Sequence, residues 1–152
     1  MKQLITKVSE VIDVLTMMEK AGSATSDVAD LQFVSARIAN VRKKILANTL
    51  YSSWPLFFLR IGNLMLRIAT VHNVNINKTE FSEFLLAKHK AYGAEPFADW
   101  KEVGILMRLG SKIARLINLE EDPDLDINCE SFQDTLKDII GYCVLGYYMD
   151  RL

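Results

Sequence analysis

The 152-residue sequence predicts an all-α fold, a bundle of about six helices, on three observations. Apolar residues recur at three- and four-residue intervals through most of the chain, the spacing that lines one face of a helix. Glycine and proline number only 7 and 3, few for an all-β protein with many tight turns. Strongly alternating apolar-polar segments, the mark of half-buried strands, are missing. With 50% hydrophobic and 24% charged residues, residues 1–152 read as a single helical domain, with N-terminal helices in 1–75 and a motif-bearing half in 76–152.

The first helix is expected over about 3–20, with Leu4, Val8, Val11, Ile12 and Leu15 on one face, ending before Gly22. The second spans about 27–48, capped by Thr25 or Ser26. The third starts at Trp54-Pro55, where proline fits the first turn, and ends near His72-Asn73. The fourth, about 79–91, follows Asn75-Ile76-Asn77 and closes at Tyr92-Gly93. The fifth covers about 100–118 and is followed by an acidic, proline-containing loop from Glu120 to Asp126. The sixth, capped by Asn128, runs to the C-terminus and is so apolar from Ile139 onward that it is expected at the centre. The segment FLRIGNLMLRI (58–68) echoes LMRLGSKIARL (106–116), pairing Arg60 with Arg108, Gly62 with Gly110 and Arg67 with Arg115. Either an old duplication or chance similarity of two short helices accounts for it.

A net charge of −1 gives no overall field suited to wrapping a polyanion or adhering to an anionic membrane, so any anion site is local. The apolar run Ile139–Met149 is too short for a bilayer, and 54–71 carries Arg60 and Arg67, so no membrane span is expected. No apolar leader with a cleavage site opens the chain, which points to a cytoplasmic protein, in the host cytoplasm if phage-encoded. Cys129 and Cys143 have neither zinc nor redox-pair spacing and read as ordinary thiols.

Two charged stripes stand out. Glu130, Asp134 and Asp138 lie at i, i+4 and i+8 on one face of the sixth helix, where like charges repel unless solvent, a metal or basic side chains offset them. Carboxylates on adjacent turns are the hard oxygen ligands that Mg²⁺ prefers. Arg108, Lys112 and Arg115 form a complementary stripe on the fifth helix, suited to phosphate oxygens, to pairing with the acidic helix, or simply to solvent. The fourth helix adds Glu80 and Glu83, then Lys88, His89 and Lys90. His89, a lone histidine between lysines, is expected at the surface rather than as a general base, and Tyr92 and Trp100 either stack on a base or pack, packing being the commoner role. Glycine-rich phosphate loops, Ser-His-Asp order, HExxH and a nucleotide-binding βαβ unit are absent from the sequence.

The stretch KHKAYGAEPFADWKEVGILMRLGSKIARLINL (88–119), followed by ESFQDTLKDIIGYCVLGYYM (130–149), resembles the nucleotide-modification-associated family of phages and bacteria. That family carries K-x-x-x-Y-G, a W or F, G, x-R-x-x-D-K-x-x-R-L and E-S-x-x-D-T-x-x-D-x-x-x-Y. Lys88, Tyr92, Gly93, Arg108, Lys112, Arg115, Glu130, Asp134, Thr135, Asp138 and Tyr142 coincide with it. Ser111 and Ala91 stand where many members have Asp, and each departure removes a carboxylate.

The resemblance implies a relative of the all-α nucleoside triphosphate pyrophosphatases of the MazG and dimeric dUTPase type, which use acidic helices to hold Mg²⁺ and cleave NTP to NMP and pyrophosphate. On that basis Glu130, Asp134 and Asp138 are the expected catalytic residues, and with Glu83 they are the expected ligands of Mg²⁺ or Mn²⁺. Lys88, Tyr92, Arg108, Lys112 and Arg115 are expected to bind the nucleotide and its phosphates, in a homodimer. Two further expectations stay open: a catalytically inactive nucleotide- or protein-binding module, as a phage regulator would be, and a purely structural ion-pair network in an oligomerising bundle.

Overall fold

A computed structural model describes residues 5–22, 29–47, 53–92, 101–125 and 131–149. Their regular structure is entirely helical, as expected. The six α-helices are α1 (Val8–Lys20), α2 (Leu31–Leu46), α3 (Trp54–Val71), α4 (Lys78–Tyr92), α5 (Lys101–Glu121) and α6 (Phe132–Met149), with a 3₁₀ turn at Pro123–Leu125 before α6.

Helix ends follow local hydrogen-bond chemistry and correct several expected boundaries. α1 begins at Val8 rather than near residue 3: Lys7 just ahead of it is extended, Ile5 lies in the core, and the Thr6 hydroxyl donates to the Glu10 carboxylate at 3.1 Å. α2 begins at Leu31 because Asp30 caps it, its Oδ1 accepting from Phe33 N–H at 2.7 Å; Thr25 and Ser26 lie outside the described residues. α4 is capped by Asn77, whose Oδ1 accepts from Glu80 N–H at 3.0 Å. α5 runs to Glu121, past the expected end, and stops where Pro123 would remove a backbone donor. The cap of α6 is Ser131, whose Oγ accepts from Asp134 N–H at 3.1 Å; Asn128 lies outside the described residues. At the end of α3 the chain turns through Asn73 at φ 57°, with Val74 N–H reaching back to Ala69 O at 2.8 Å, the left-handed close that asparagine tolerates.

α6 is the central helix. Leu136, Ile139, Ile140, Cys143, Val144 and Tyr147 are buried on it, so little of its circumference faces water. α3 and α5 pack on it most extensively, α2 lies against α5, and α1 lies against α3 and α4. One hydrophobic cluster draws residues from all six helices. α3 is long and apolar enough by length and composition to cross a membrane, but Phe57, Phe58, Ile61, Leu64, Met65 and Ile68 place that apolar surface inside the bundle.

The echo between 58–68 and 106–116 falls on two helices with equivalent positions. α3 and α5 each lie on α6, and each turns its glycine toward an N-terminal helix: Gly62 faces Met18 of α1, and Gly110 faces Ile38 and Arg42 of α2. The first half is thereby part of the frame. Asn63 Nδ2 donates to Met18 O at 2.9 Å at the end of α1, the Tyr148 hydroxyl donates to Glu10 O at 2.8 Å, and Lys78 pairs with Glu19 at 2.9 Å, fixing α4 to α1.

The closest approach along α6 is at Gly146, where an added Cβ would lie 2.6 Å from three ring carbons of Phe58. That ring is stacked on Trp54 at 5.7 Å and edge-packed by Phe57 at 5.3 Å, so it has nowhere to move. Alanine gains helix propensity over glycine by about 0.5–1 kcal/mol, whereas overpacking a core costs about 1–3 kcal/mol. Gly146→Ala is therefore expected to lower unfolding free energy by about 1–2 kcal/mol net in urea titration. Gly110→Ala, whose nearest neighbour is the movable Arg42 Nη1 at 3.2 Å, is expected to be neutral or stabilising. Equal effects of the two substitutions would contradict the α3–α6 packing.

Candidate functional site

The acidic stripe of α6 and the basic residues of α4 and α5 meet at one point. Asp138, 8% exposed, receives Lys88 Nζ of α4 on Oδ1 at 2.8 Å and Lys112 Nζ of α5 on Oδ2 at 3.2 Å. The lysines come from positions 50 and 26 residues away in sequence. A carboxylate this buried would be costly alone; two charge-assisted hydrogen bonds offset its desolvation. The lysines remain reachable from solvent, Lys88 at 39% and Lys112 at 23% exposure. On α5, Arg108 is exposed and Arg115 half-buried.

One turn back along α4 and α6 lies an open cleft of about 260 Å³, lined by Asn75, Asn77, Glu80, Phe84, Asp134 and Lys137 among others. Asp134 is exposed in the first turn of α6, where the helix dipole favours a carboxylate. Phe84 is 53% exposed, and the Lys88 ammonium lies 5.7 Å from its ring centroid. Phe84 and Lys88 are four residues apart on one helix, so the cleft wall and the lysine junction are neighbours on one face of α4.

Of the expected metal set Glu83, Glu130, Asp134 and Asp138, three fall within the described residues. Asp138 faces two lysines, Asp134 lines the cleft, and Glu83 is exposed on α4. No group of three His, Cys, Asp or Glu side chains that could hold a metal ion occurs among the described residues. Glu130, Gly93 and Trp100 lie outside them, as does the side chain of Tyr92. Of the expected phosphate-binding residues, Lys88 and Lys112 converge, and Arg108 and Arg115 extend the same α5 face. Sequence reasoning missed Asn75, Asn77, Phe84 and Lys137; the i, i+4 spacing of Phe84 and Lys88 was the available signal.

His89 departs from expectation as well. It is buried, at 4% exposure, while its neighbours Lys88 and Lys90 reach solvent, and burial lowers its pKa from 6.5. Cys143 is buried too, and burial raises its thiol well above the ordinary range, an inert structural cysteine. Thr135 is buried in the first turn of α6, next to exposed Asp134.

Compared with known protein families, curated proteins and solved structures, the chain matches none.

The lowered pKa of His89 sets a pH dependence. The unfolded chain protonates this imidazole near 6.5 and the folded chain only at lower pH, so between those values the unfolded state binds more protons. The contribution is absent above 6.5 and destabilises progressively as pH falls below it. On lowering pH from about 7.5 to 5.5, the wild-type melting temperature is expected to fall further than that of His89→Gln, because that window brackets an ordinary histidine pKa. Parallel falls would contradict a buried neutral His89.

Proposed function

We propose that this is a nucleotide-binding protein of the nucleoside triphosphate pyrophosphohydrolase type, which takes the phosphates of a (d)NTP in the groove where α4, α5 and α6 meet. The observation that carries this reading is the convergence of Lys88 and Lys112, from two different helices, on the single buried carboxylate of Asp138. Asp138 holds the two ammonium groups together at a solvent-reachable point, where their mutual repulsion would otherwise part them. An ammonium has three donors, so a phosphate oxygen shares it with Asp138 rather than having to displace it. Arg108 and Arg115 on the same α5 face supply further positive charge for a polyphosphate.

Binding is placed first because the described residues do not fit a resident Mg²⁺ or Mn²⁺ site: the best-buried carboxylate is already neutralised by lysines. No step is therefore routed through such an ion. Pyrophosphohydrolysis is the second reading, favoured by the family resemblance and by Glu80 and Asp134, two carboxylates on the cleft rim beside the lysines.

Calorimetric titration of the purified protein with a panel of NTPs and dNTPs, with and without Mg²⁺ or Mn²⁺, tests the first reading. A pyrophosphate-release assay on the same samples tests the second. Micromolar binding is expected, weakened about tenfold by Lys88→Ala or Lys112→Ala, which corresponds to roughly 1.4 kcal/mol for one charged contact. Release of pyrophosphate would establish the enzyme, binding without release a sequestering module, and no binding across the panel would overturn both.

A further inference from the structure

We propose that the cleft beside the lysine junction is a nucleobase pocket, with Phe84 as its stacking platform and a polar rim selective for guanine. This inference rests on the phosphate assignment above and fixes the direction in which the nucleotide lies. The cleft contains two carboxylates, Glu80 and Asp134, against one ammonium, Lys137, so it repels phosphate. The neighbouring turn, with Lys88 and Lys112 around Asp138, attracts it. A nucleoside triphosphate therefore enters with its base toward the N-terminal ends of α4 and α6 and its phosphates toward Lys88.

The volume and lining suit a base. About 260 Å³ lies below the roughly 300–1,000 Å³ usual for drug-sized ligands, enough for a base and part of a sugar. Phe84 is one of few large apolar side chains exposed in the described residues, and it stands on the cleft wall. An aromatic ring offered to solvent beside a cation is the arrangement on which bases stack.

The rim sets the edge that is read. Carboxylates accept hydrogen bonds only, and the fork of N1–H and N2–H on guanine matches one carboxylate with two donors. Guanine O6 is an acceptor suited to the Lys137 ammonium or to an asparagine amide of Asn75 or Asn77. Thymine and uracil present two carbonyls around one N–H, so a carboxylate that meets the N–H also meets a carbonyl oxygen. Asn77 Oδ1 is already committed to the α4 cap, which leaves its amide N–H₂ as the group directed to a ligand.

Calorimetry on the full chain with dGTP, dTTP and inorganic tripolyphosphate tests the assignment. dGTP is expected to bind about tenfold more tightly than tripolyphosphate, the scale of one stacked base, and about tenfold more tightly than dTTP, the scale of an exposed hydrogen-bonded fork. Phe84→Ala should remove the advantage of dGTP over tripolyphosphate while leaving tripolyphosphate binding and the far-ultraviolet circular dichroism unchanged. The pair Glu80→Gln and Asp134→Asn should narrow the gap between dGTP and dTTP. Binding of all three ligands with equal affinity, unaffected by Phe84→Ala, would overturn the base pocket and leave the phosphate site standing. Equal affinity for dGTP and dTTP would overturn the guanine assignment. Binding of none would overturn the phosphate site and the pocket together.

Discussion

A buried carboxylate held between two lysines is the constraint around which the second half of this protein is arranged. Asp138 lies on the most buried helix and is itself nearly inaccessible, so it must find cations, and it finds them on two neighbouring helices. One residue thus ties α4 and α5 to α6 by charge, where α3 and α6 are tied by apolar packing. The cost of burying the carboxylate is offset only while both ammonium groups stay close. That requirement keeps two positive charges together at the surface, and the proposed phosphate site rests on their proximity.

The rest of the bundle can be understood as support for this junction. α6 is fixed near its C-terminal end by the Phe58 ring lying against Gly146 and by the Tyr148 hydroxyl on Glu10 O. α4 is set against α1 by Lys78 and Glu19 and against α6 through Leu85, whose methyl would lie 3.1 Å from a Cβ at Gly141. At the far end, His72 joins Glu120 of α5 at 3.2 Å and packs its ring 4.6 Å from Phe132, so the close of α3, the end of α5 and the start of α6 share one contact. The N-terminal helices, which carry no recognisable motif, form the wall against which the motif-bearing helices are aligned.

Much of this was legible in the sequence. The apolar spacing located α3, α4, α5 and α6 closely, because each combines a clean helical face with a proline, asparagine or glycine at an end. α2 was displaced because several side chains between residues 23 and 30 could cap a helix; Asp30 prevails since Leu31 opens the buried row Leu31, Val34, Ile38 and Val41. Two charged stripes were also visible, but periodicity gives the face of a helix and not its neighbour. Asp134 and Asp138 look equivalent at i and i+4, yet one is an exposed first-turn carboxylate and the other a buried ion-pair centre. The burial of His89 was hidden by its flanking lysines, which reach solvent from the same turn. Phe84 carried no signal of exposure, since an aromatic at helical spacing is normally core.

A double-mutant cycle between Asp138→Asn and Lys112→Gln, read by urea unfolding, tests most directly the claim that the carboxylate and its lysines act as one unit. Contacting charged residues of this kind couple by about 0.5–3 kcal/mol, and a coupling in that range is expected here, with the same sign for the cycle made with Lys88→Gln. Additive effects within about 0.3–0.5 kcal/mol, as for distant and independent sites, would contradict it.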